Sequence, residues 1–135
     1  MIVDADGGVA QELSSLFLNE GYDVEVSRSI SKAAERTKDV KFDCVIMDVD
    51  LPDMKGYEAV PILKALDPKV QIIMTAAENT VELEVKVRKQ DIFYYYIKSF
   101  DREELREAVR DVFKKLGKVK DVKEMDKPAN INFSY

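Results

Sequence analysis

Several residue types that often carry chemistry are scarce in this chain, which has no histidine, no tryptophan and one cysteine among 135 residues. A reaction that needs an imidazole must therefore take it from another molecule. The single cysteine, Cys44, excludes a disulfide framework, and we interpret it as a structural thiol in a reducing, cytoplasmic setting. We find no secretory signal, and no apolar run approaches the roughly 20 residues that cross a bilayer, so we expect no membrane contact.

Charged residues are abundant but mixed in sign, with 21 Lys and Arg against 26 Asp and Glu. Because the bases are interspersed with acids, the sequence does not indicate a nucleic-acid surface. We place one compact domain at residues 1–116 and interpret residues 117–135 as a charged tail or linker. The tail is too short to be an output domain, so the chain is either stand-alone or part of a larger protein. The very short first apolar run favours missing amino-terminal context.

The strongest local pattern is a run of four apolar residues, 44–47, that ends at Asp48. The run is too short for a helix and is typical of a strand buried on both faces, as in parallel sheets covered by helices. Similar apolar segments alternate with helical patterns five times along the chain. The sequence therefore predicts an α/β, flavodoxin-like, doubly wound five-stranded parallel sheet in the order 2-1-3-4-5, with helices on both faces. The predicted strands cover 1–3, 22–26, 44–48, 70–74 and 92–97; the predicted helices cover 9–20, a stretch ending near 38, 57–66, 79–90 and 101–116.

Two of the predicted helices contain residues that are unusual in a helix. Pro61 must lie in the first turn of the third helix, where a proline is tolerated. Residues 79–90 carry apolar residues at every second position from 81 to 87, as a strand would. Parallel strands on both sides of this segment require a crossover connection, so we predict a helix there.

The fourth helix is also expected to present an apolar surface. If Val81 and Val85 face the sheet, Leu83 and Val87 lie on the opposite side of the same helix. We predict an exposed apolar strip formed by Leu83 and Val87 near Tyr94 or Tyr96 on the fifth strand, serving homodimerisation or effector binding. The alternative is a helix that the tail buries more fully.

Polar residues follow four of the predicted strands, and we expect them to meet at one edge of the sheet. Three crowded carboxylates repel each other unless a cation lies between them, and oxygen ligands suit Mg²⁺. A lysine and a hydroxyl beside such a cation would stabilise an anionic phosphoryl group. Each residue also has a structural alternative, as a turn cap, a helix cap or a solvated charge. The residues are Asp4, Asp6, Asp48, Thr75 and Lys98.

Over roughly residues 1–116 the sequence resembles the receiver domain of bacterial response regulators. The motifs that carry the resemblance are Ile2-Val3-Asp4, Met47-Asp48-Val49-Asp50-Leu51-Pro52-Asp53-Met54-Lys55-Gly56, Met74-Thr75-Ala76, and Tyr95-Tyr96-Ile97-Lys98 with Phe100. The resemblance implies that Asp48 is a phosphoacceptor that takes a phosphoryl group from a sensor histidine kinase or a histidine phosphotransfer protein. The missing histidine agrees, because the partner would supply the imidazole.

The same resemblance implies a cofactor and a switch. Mg²⁺ would be held by Asp48, the backbone carbonyl of Asp50, and the amino-terminal acids Asp4 and Asp6. Lys98 would pair with a phosphoryl oxygen, Thr75 would move to bind another, and Tyr95 would turn inward to fill the space. The domain would then be a two-component signalling switch and not an enzyme in the usual sense.

Three positions depart from the family pattern. The second amino-terminal acid, which normally touches the metal, aligns with Ala5, so Asp6 or a water would take its place. Ser99 replaces a proline that commonly follows the lysine in a cis peptide, which removes the main reason for a cis bond. Residues 90–92 replace the usual Gly-Ala before the last strand.

Two other functions are compatible with these residues. Residues 2–7 look like the nucleophile motif of haloacid dehalogenase-type magnesium phosphatases, although that family also needs a late pair of acids that is not evident after Lys98. The second is a receiver-like binding module that works without phosphorylation, which Ala5 makes credible.

Overall fold

The computed structural model describes residues 1–118, so the predicted tail lies outside the described residues apart from Gly117 and Lys118. Strands and helices alternate along this part of the chain, as the sequence predicts. The strands are β1 (Ile2–Val3), β2 (Val26–Ser27), β3 (Cys44–Asp48), β4 (Gln71–Ala76) and β5 (Tyr94–Ile97). The helices are α1 (Gly7–Asn19), α2 (Ile30–Asp39), α3 (Gly56–Leu66), α4 (Val81–Arg88) and α5 (Arg102–Lys115).

The five strands form one parallel sheet in the order β2-β1-β3-β4-β5, which confirms the predicted order. β3 lies in the middle of the sheet. Its last residue, Asp48, is paired in register with Thr75 on β4. Because all strands run in the same direction, the residues at their carboxyl ends meet at one edge of the sheet.

Helices cover both faces of the sheet. Residues of α2, α3 and α4 pack on one face, and residues of α1 and α5 pack on the other. β3 contributes to both cores, because Val45 and Met47 belong to the first and Cys44 and Ile46 to the second. This confirms that the central apolar run is a strand buried on both faces. No helix among residues 1–118 is long and apolar enough to span a membrane.

Local sequence signals set most helix ends. The side chain of Ser29 accepts a hydrogen bond from the amide of Lys32 and caps α2, and Asp101 caps α5 in the same way. Gly21 and Gly117 follow α1 and α5 with positive φ angles of 91° and 71°, which favour glycine. The described residues contain no cis peptide bond, as expected from Ser99.

Two element predictions were wrong in detail. The second strand is Val26–Ser27 and not 22–26, because it pairs only with the two-residue strand β1. Pro61 was expected in the first turn of α3, but this helix begins at Gly56 and places Pro61 in its second turn. The proline has no amide hydrogen, so the carbonyl of Tyr57, four residues earlier, loses its helical donor. The Pro61 side chain is exposed.

The predicted orientation of α4 was also wrong. Val87 is fully buried and Leu83 packs against the core, whereas Val81 and Val85 are 82% and 49% exposed. Positions four apart share one side of a helix, so the sequence separates these residues into two pairs. An alternating pattern does not determine which pair faces inward. The exposed apolar strip therefore consists of Val81 and Val85.

Candidate functional site

The site is built around Asp48, the last residue of β3, which is only 7% exposed. Asp4 follows the neighbouring strand β1 and is also buried. Two carboxylates thus lie in the interior at the carboxyl edge of the sheet. Buried charges of the same sign are unfavourable unless a positive group accompanies them.

Lys98, which follows β5, provides that positive group. Its Nζ lies 2.7 Å from Asp4 Oδ2 and 3.1 Å from Asp48 Oδ1. The Lys98 side chain is itself only 14% exposed. Ion pairs in such a shielded position are far less screened than pairs on the surface. The ammonium therefore joins the ends of two strands that are distant from it in the sequence.

Thr75 completes the group from β4. Its Oγ1 lies 3.4 Å from Asp48 Oδ1 and donates a long hydrogen bond to it. Thr75 is 1% exposed, so its hydroxyl is shielded from water. The structure thus brings together four of the residues selected from the sequence, namely Asp4, Asp48, Thr75 and Lys98.

The protonation of the site reflects burial and pairing. Burial raises the pKa of Asp48, and the nearby charge of Lys98 opposes this effect. Burial alone would lower the pKa of Lys98, but its hydrogen bond with Asp4 and the charge of Asp48 raise it above its ordinary value. Lys98 therefore remains a cation beside the Asp48 carboxyl group.

The loop after β3 is closely packed against Asp48. The backbone of Asp50 lies close enough to the Asp48 carboxylate to oppose the rise of its pKa, and the Asp50 side chain pairs with Lys55 at 2.6 Å. Gly56 lies directly against the backbone of Asp48. A side chain at this position would overlap the Asp48 carbonyl oxygen. Glycine is needed here for close approach of two backbone segments.

Asp53 connects this loop to a second helix. Its Oδ1 accepts a hydrogen bond from the amide of Ile30 at 3.0 Å, and its Oδ2 accepts one from Ser31 at 2.8 Å. Both amides lie in the first turn of α2 and have no partner within the helix. The pKa of Asp53 is lowered, since these bonds outweigh its desolvation. The loop that follows Asp48 is therefore fastened to α2.

Comparison with known proteins decides the family. The sequence model of one protein family, the response regulator receiver domain, matches residues 1–110. The chain belongs to this family. The receiver domain is 32% identical over 113 residues to the response regulator protein TodT of Pseudomonas putida, covering 84% of this chain and 50% of TodT. The chain spans from 23% to 50% of the length of the curated relatives it matches first.

Solved structures agree on the fold of the receiver domain. A CheY-like receiver domain protein from Methanospirillum hungatei JF-1 matches with a TM-score of 0.80 at 24% identity, covering 87% of this chain and 94% of that one. The beryllofluoride-activated NtrC4 receiver domain dimer matches with a TM-score of 0.79 at 23% identity, covering 84% of this chain and 94% of that one. Receiver domains are signalling modules of two-component systems and not classical enzymes, which sets the dehalogenase-type phosphatase aside.

Asp6 does not join the acidic pair of this receiver domain. Its side chain accepts hydrogen bonds from the amides of Gly8 and Val9 and caps α1, while its own amide donates to Asp4 Oδ1 at 2.8 Å. Within residues 1–118, no group of three or more His, Cys, Asp or Glu side chains is arranged to hold a metal. With Asp6 used as a helix cap, the predicted metal ligands that remain are Asp4, Asp48 and the carbonyl of Asp50. Residue 5 is alanine and offers no carboxylate in place of Asp6.

The three tyrosines of β5 alternate across the sheet, as predicted for a strand. Tyr95 packs in the core on the α4 side, and its hydroxyl donates to Asn79 Oδ1 at 2.8 Å. Tyr94 and Tyr96 face the other side. Tyr96 is 1% exposed, so the prediction that it lines an exposed strip was wrong. Tyr94 is half-buried and its hydroxyl donates to Glu104.

Sequence reasoning missed one residue near the site. Arg102, the first residue of α5, donates through Nη1 to the carbonyl of Lys98 at 2.6 Å. It also pairs with Glu12 of α1. No local pattern marks an arginine at a helix start as a partner of the preceding loop. Only its position four residues after Lys98 places it within reach.

Proposed function

We propose that this receiver domain accepts a phosphoryl group on Asp48 and thereby switches its interactions with other proteins. The observation that carries the proposal is the position of Lys98, whose ammonium contacts the carboxylates of both Asp48 and Asp4. A cation fixed beside a nucleophilic carboxylate is suited to an anionic phosphoryl group. The hydroxyl of Thr75 on the same carboxylate oxygen supports the proposal.

The donor is a phosphohistidine on a sensor histidine kinase or a histidine phosphotransfer protein. A carboxylate oxygen of Asp48 attacks the phosphorus and forms a P–O bond, while the P–N bond to the donor imidazole breaks. The imidazole leaves with the electron pair of that bond and takes up a proton. Asp48 is converted to an acyl phosphate. Because the chain has no histidine, the imidazole must belong to the partner.

Lys98 and Thr75 have separate parts in this reaction. Lys98 pairs with an oxygen of the transferred group and compensates for its negative charge. Thr75 donates its hydroxyl to a second oxygen. Tyr95 on β5 is paired with Met74, the residue that precedes Thr75 on β4. A shift of Thr75 would therefore be transmitted to Tyr95 through the backbone of β4. The hydrogen bond from its hydroxyl to Asn79 links the tyrosine ring to the segment before α4.

The receiver family is generally magnesium-dependent. In this chain the carboxylates of Asp4 and Asp48 and the carbonyl of Asp50 fit Mg²⁺ as oxygen ligands, with the remaining positions left to water. Asp6 is committed to the α1 cap and is not part of the set. When bound, Mg²⁺ neutralises charge on the phosphoryl oxygens. With two carboxylates, we expect the site to require more Mg²⁺ than one with three.

The intact mass of the protein after incubation with acetyl phosphate and Mg²⁺ tests the proposal. We expect the wild type to gain the mass of one phosphoryl group and Asp48→Asn to gain none. Asp43→Asn is the matched control, because Asp43 precedes the same strand at its opposite end and pairs with Lys118 away from the site. It should gain the same mass as the wild type.

A second candidate function is a receiver-like binding module that does not need phosphorylation. It is favoured by Ala5, which stands where the family usually has a second acid, and by the absence of a three-carboxylate cluster among the described residues. Beryllofluoride, an analogue of the phosphoryl group, separates the two. Spectral changes at Thr75 and Tyr95 with Mg²⁺ and beryllofluoride support the phosphoacceptor. A folded wild type with neither a mass gain nor a spectral change contradicts it and leaves the binding module.

The partner surface is proposed to include the exposed side of α4. Val81 and Val85 form its apolar strip, and Phe100, in the segment before α5, is 51% exposed. Homodimerisation through α4 and β5 would cover these residues. The NtrC4 receiver domain, which resembles this chain in fold, is described as a dimer in its beryllofluoride-activated state.

A further inference from the structure

We propose that Arg102 is a positioning residue for Lys98. It holds the backbone that carries the lysine and so sets where the ammonium meets Asp48. This inference rests on the proposed function, because the position of Lys98 matters most if it binds a phosphoryl group. The contacts around Arg102 carry it.

The first contact is with the lysine's own backbone. Arg102 Nη1 donates to the carbonyl of Lys98 at 2.6 Å and to the hydroxyl of Tyr96 at 3.0 Å. A charged donor makes a stronger hydrogen bond to a carbonyl than a neutral one does. The peptide that leaves Lys98 is therefore held by the guanidinium from the following helix.

Tyr96 holds the other end of the same turn. Its ring is fully buried, and its hydroxyl donates to the carbonyl of Phe100 at 2.7 Å. The guanidinium of Arg102 lies 6.0 Å from the centre of the ring. Residues 98–100 are thus fixed at their start by Arg102 and at their end by Tyr96, and the two fixing residues also bond to each other.

Glu12 on α1 orients the guanidinium. Arg102 Nε donates to Glu12 Oε2 at 2.7 Å, and Nη2 donates to Oε1 at 3.3 Å. Two parallel hydrogen bonds of this kind restrict the plane of the arginine as well as its position. Arg102 therefore links α1, β5, the turn after β5 and α5.

Apart from Arg102 and Tyr96, the turn is held by two backbone hydrogen bonds, from the Lys98 amide to the Ala76 carbonyl and from the Phe100 amide to the Ile97 carbonyl. Ser99 has no ring to restrict the backbone, and the turn lies outside the regular elements. Yet Lys98 Nζ must stay 2.7 Å from Asp4 and 3.1 Å from Asp48. A displacement of about 1 Å in a catalytic contact can lower a rate by as much as a hundredfold.

The rate of phosphate incorporation from acetyl phosphate, followed by intact mass, tests this role. We expect Arg102→Met to lower the maximal rate about tenfold, with Arg102→Lys between it and the wild type. The acetyl phosphate concentration for half-maximal rate should stay within about twofold, because Arg102 does not touch the donor. Arg106→Met is the matched control on the same helix, since Arg106 pairs with Glu20 and Glu103. It should keep the wild-type rate.

A wild-type rate in folded Arg102→Met overturns the inference and leaves the proposed function intact. If Arg102→Met does not fold, Glu12→Gln replaces it and should lower the rate by a smaller factor. If the wild type itself takes no phosphate, the proposed function fails and hydrogen exchange decides the inference. Faster exchange of the Lys98 and Phe100 amides in the Arg102 or Glu12 variant then supports the positioning role, and unchanged exchange overturns it.

Discussion

Gly56 lies so close beneath Asp48 that an added methyl group would overlap the Asp48 carbonyl oxygen and sit 3.0 Å from its carbonyl carbon. The start of α3 is thereby pressed against the end of β3. This contact fixes the path of the loop between them, and it involves backbone that cannot move without disturbing the sheet.

We expect Gly56→Ala to lower the free energy of unfolding by about 1–3 kcal/mol, because the backbone must shift to admit the methyl group. Urea unfolding measures the change. Gly8→Ala is the control, since the added methyl group would meet only Asp6 Oδ1 at 3.4 Å. Gly8 lies in α1, where alanine favours the helix more than glycine does. The control should be neutral or stabilising by up to about 1 kcal/mol. Equal effects of the two substitutions would contradict the close approach at Gly56.

Asp48→Asn should stabilise the folded protein at neutral pH. Burial raises the pKa of Asp48 above its ordinary value of 3.8, so the charged form destabilises the fold. That destabilisation is absent below pH 3.8 and grows as the pH rises toward the folded-state pKa, above which it is complete. The variant should therefore be more stable than the wild type at pH 7 and equal to it at the acidic end, as measured by urea unfolding across pH. A variant less stable than the wild type at pH 7 would show that the charge of Asp48 supports the fold.

Thr75→Val should separate phosphate acceptance from the conformational response. The substitution keeps the shape of the side chain but removes the hydroxyl that contacts Asp48. We expect the variant still to gain a phosphoryl group while the beryllofluoride-induced shifts at Tyr95 and Asn79 fall by more than half. Thr75→Ser retains the hydroxyl and should preserve the shifts. NMR spectra with and without beryllofluoride measure them, and full shifts in Thr75→Val would assign the switch to another residue.

Charged substitutions on α4 should distinguish its two sides. Val85 is 49% exposed, so Val85→Asp should leave the unfolding free energy within about 0.5 kcal/mol of wild type and weaken any self-association. Val87 is fully buried, so Val87→Asp should cost several kcal/mol and can prevent folding. Urea unfolding and sedimentation of the beryllofluoride-treated protein test both statements. A strongly destabilised Val85→Asp would contradict the assigned orientation of the helix.

Much of the architecture follows from the sequence, because its strands are short apolar runs with polar residues at their carboxyl ends. Parallel strands bring those ends together, and so the meeting of Asp4, Asp48, Thr75 and Lys98 could be predicted from the order of strands and helices alone. Their closeness is confirmed by the Lys98 and Thr75 contacts. Their roles in phosphoryl transfer remain predictions.

The remaining features depend on side-chain choices that local patterns do not encode. The apolar residues of α4 alternate, so either pair could face the core, and only packing against the rest of the domain selects Leu83 and Val87. The sequence position of Asp6 is compatible with binding a metal or with capping α1. In the structure its side chain accepts hydrogen bonds from the amides of Gly8 and Val9, so it caps the helix. Arg102 bonds to the Lys98 carbonyl four residues before it, but its pairing with Glu12 is a tertiary contact that no spacing in the sequence indicates.

The two hydrogen bonds that the first amides of α2 donate to Asp53 have a consequence for protein engineering. The turn after β3 and the first residues of α2 form one unit, although 22 and 23 positions separate Asp53 from its partners. A chimera that grafts residues 49–55 into another receiver domain should carry residues 29–32 along with them. Without its own α2 the transplanted carboxylate would depend on the recipient's helix to place two amide donors at matching positions.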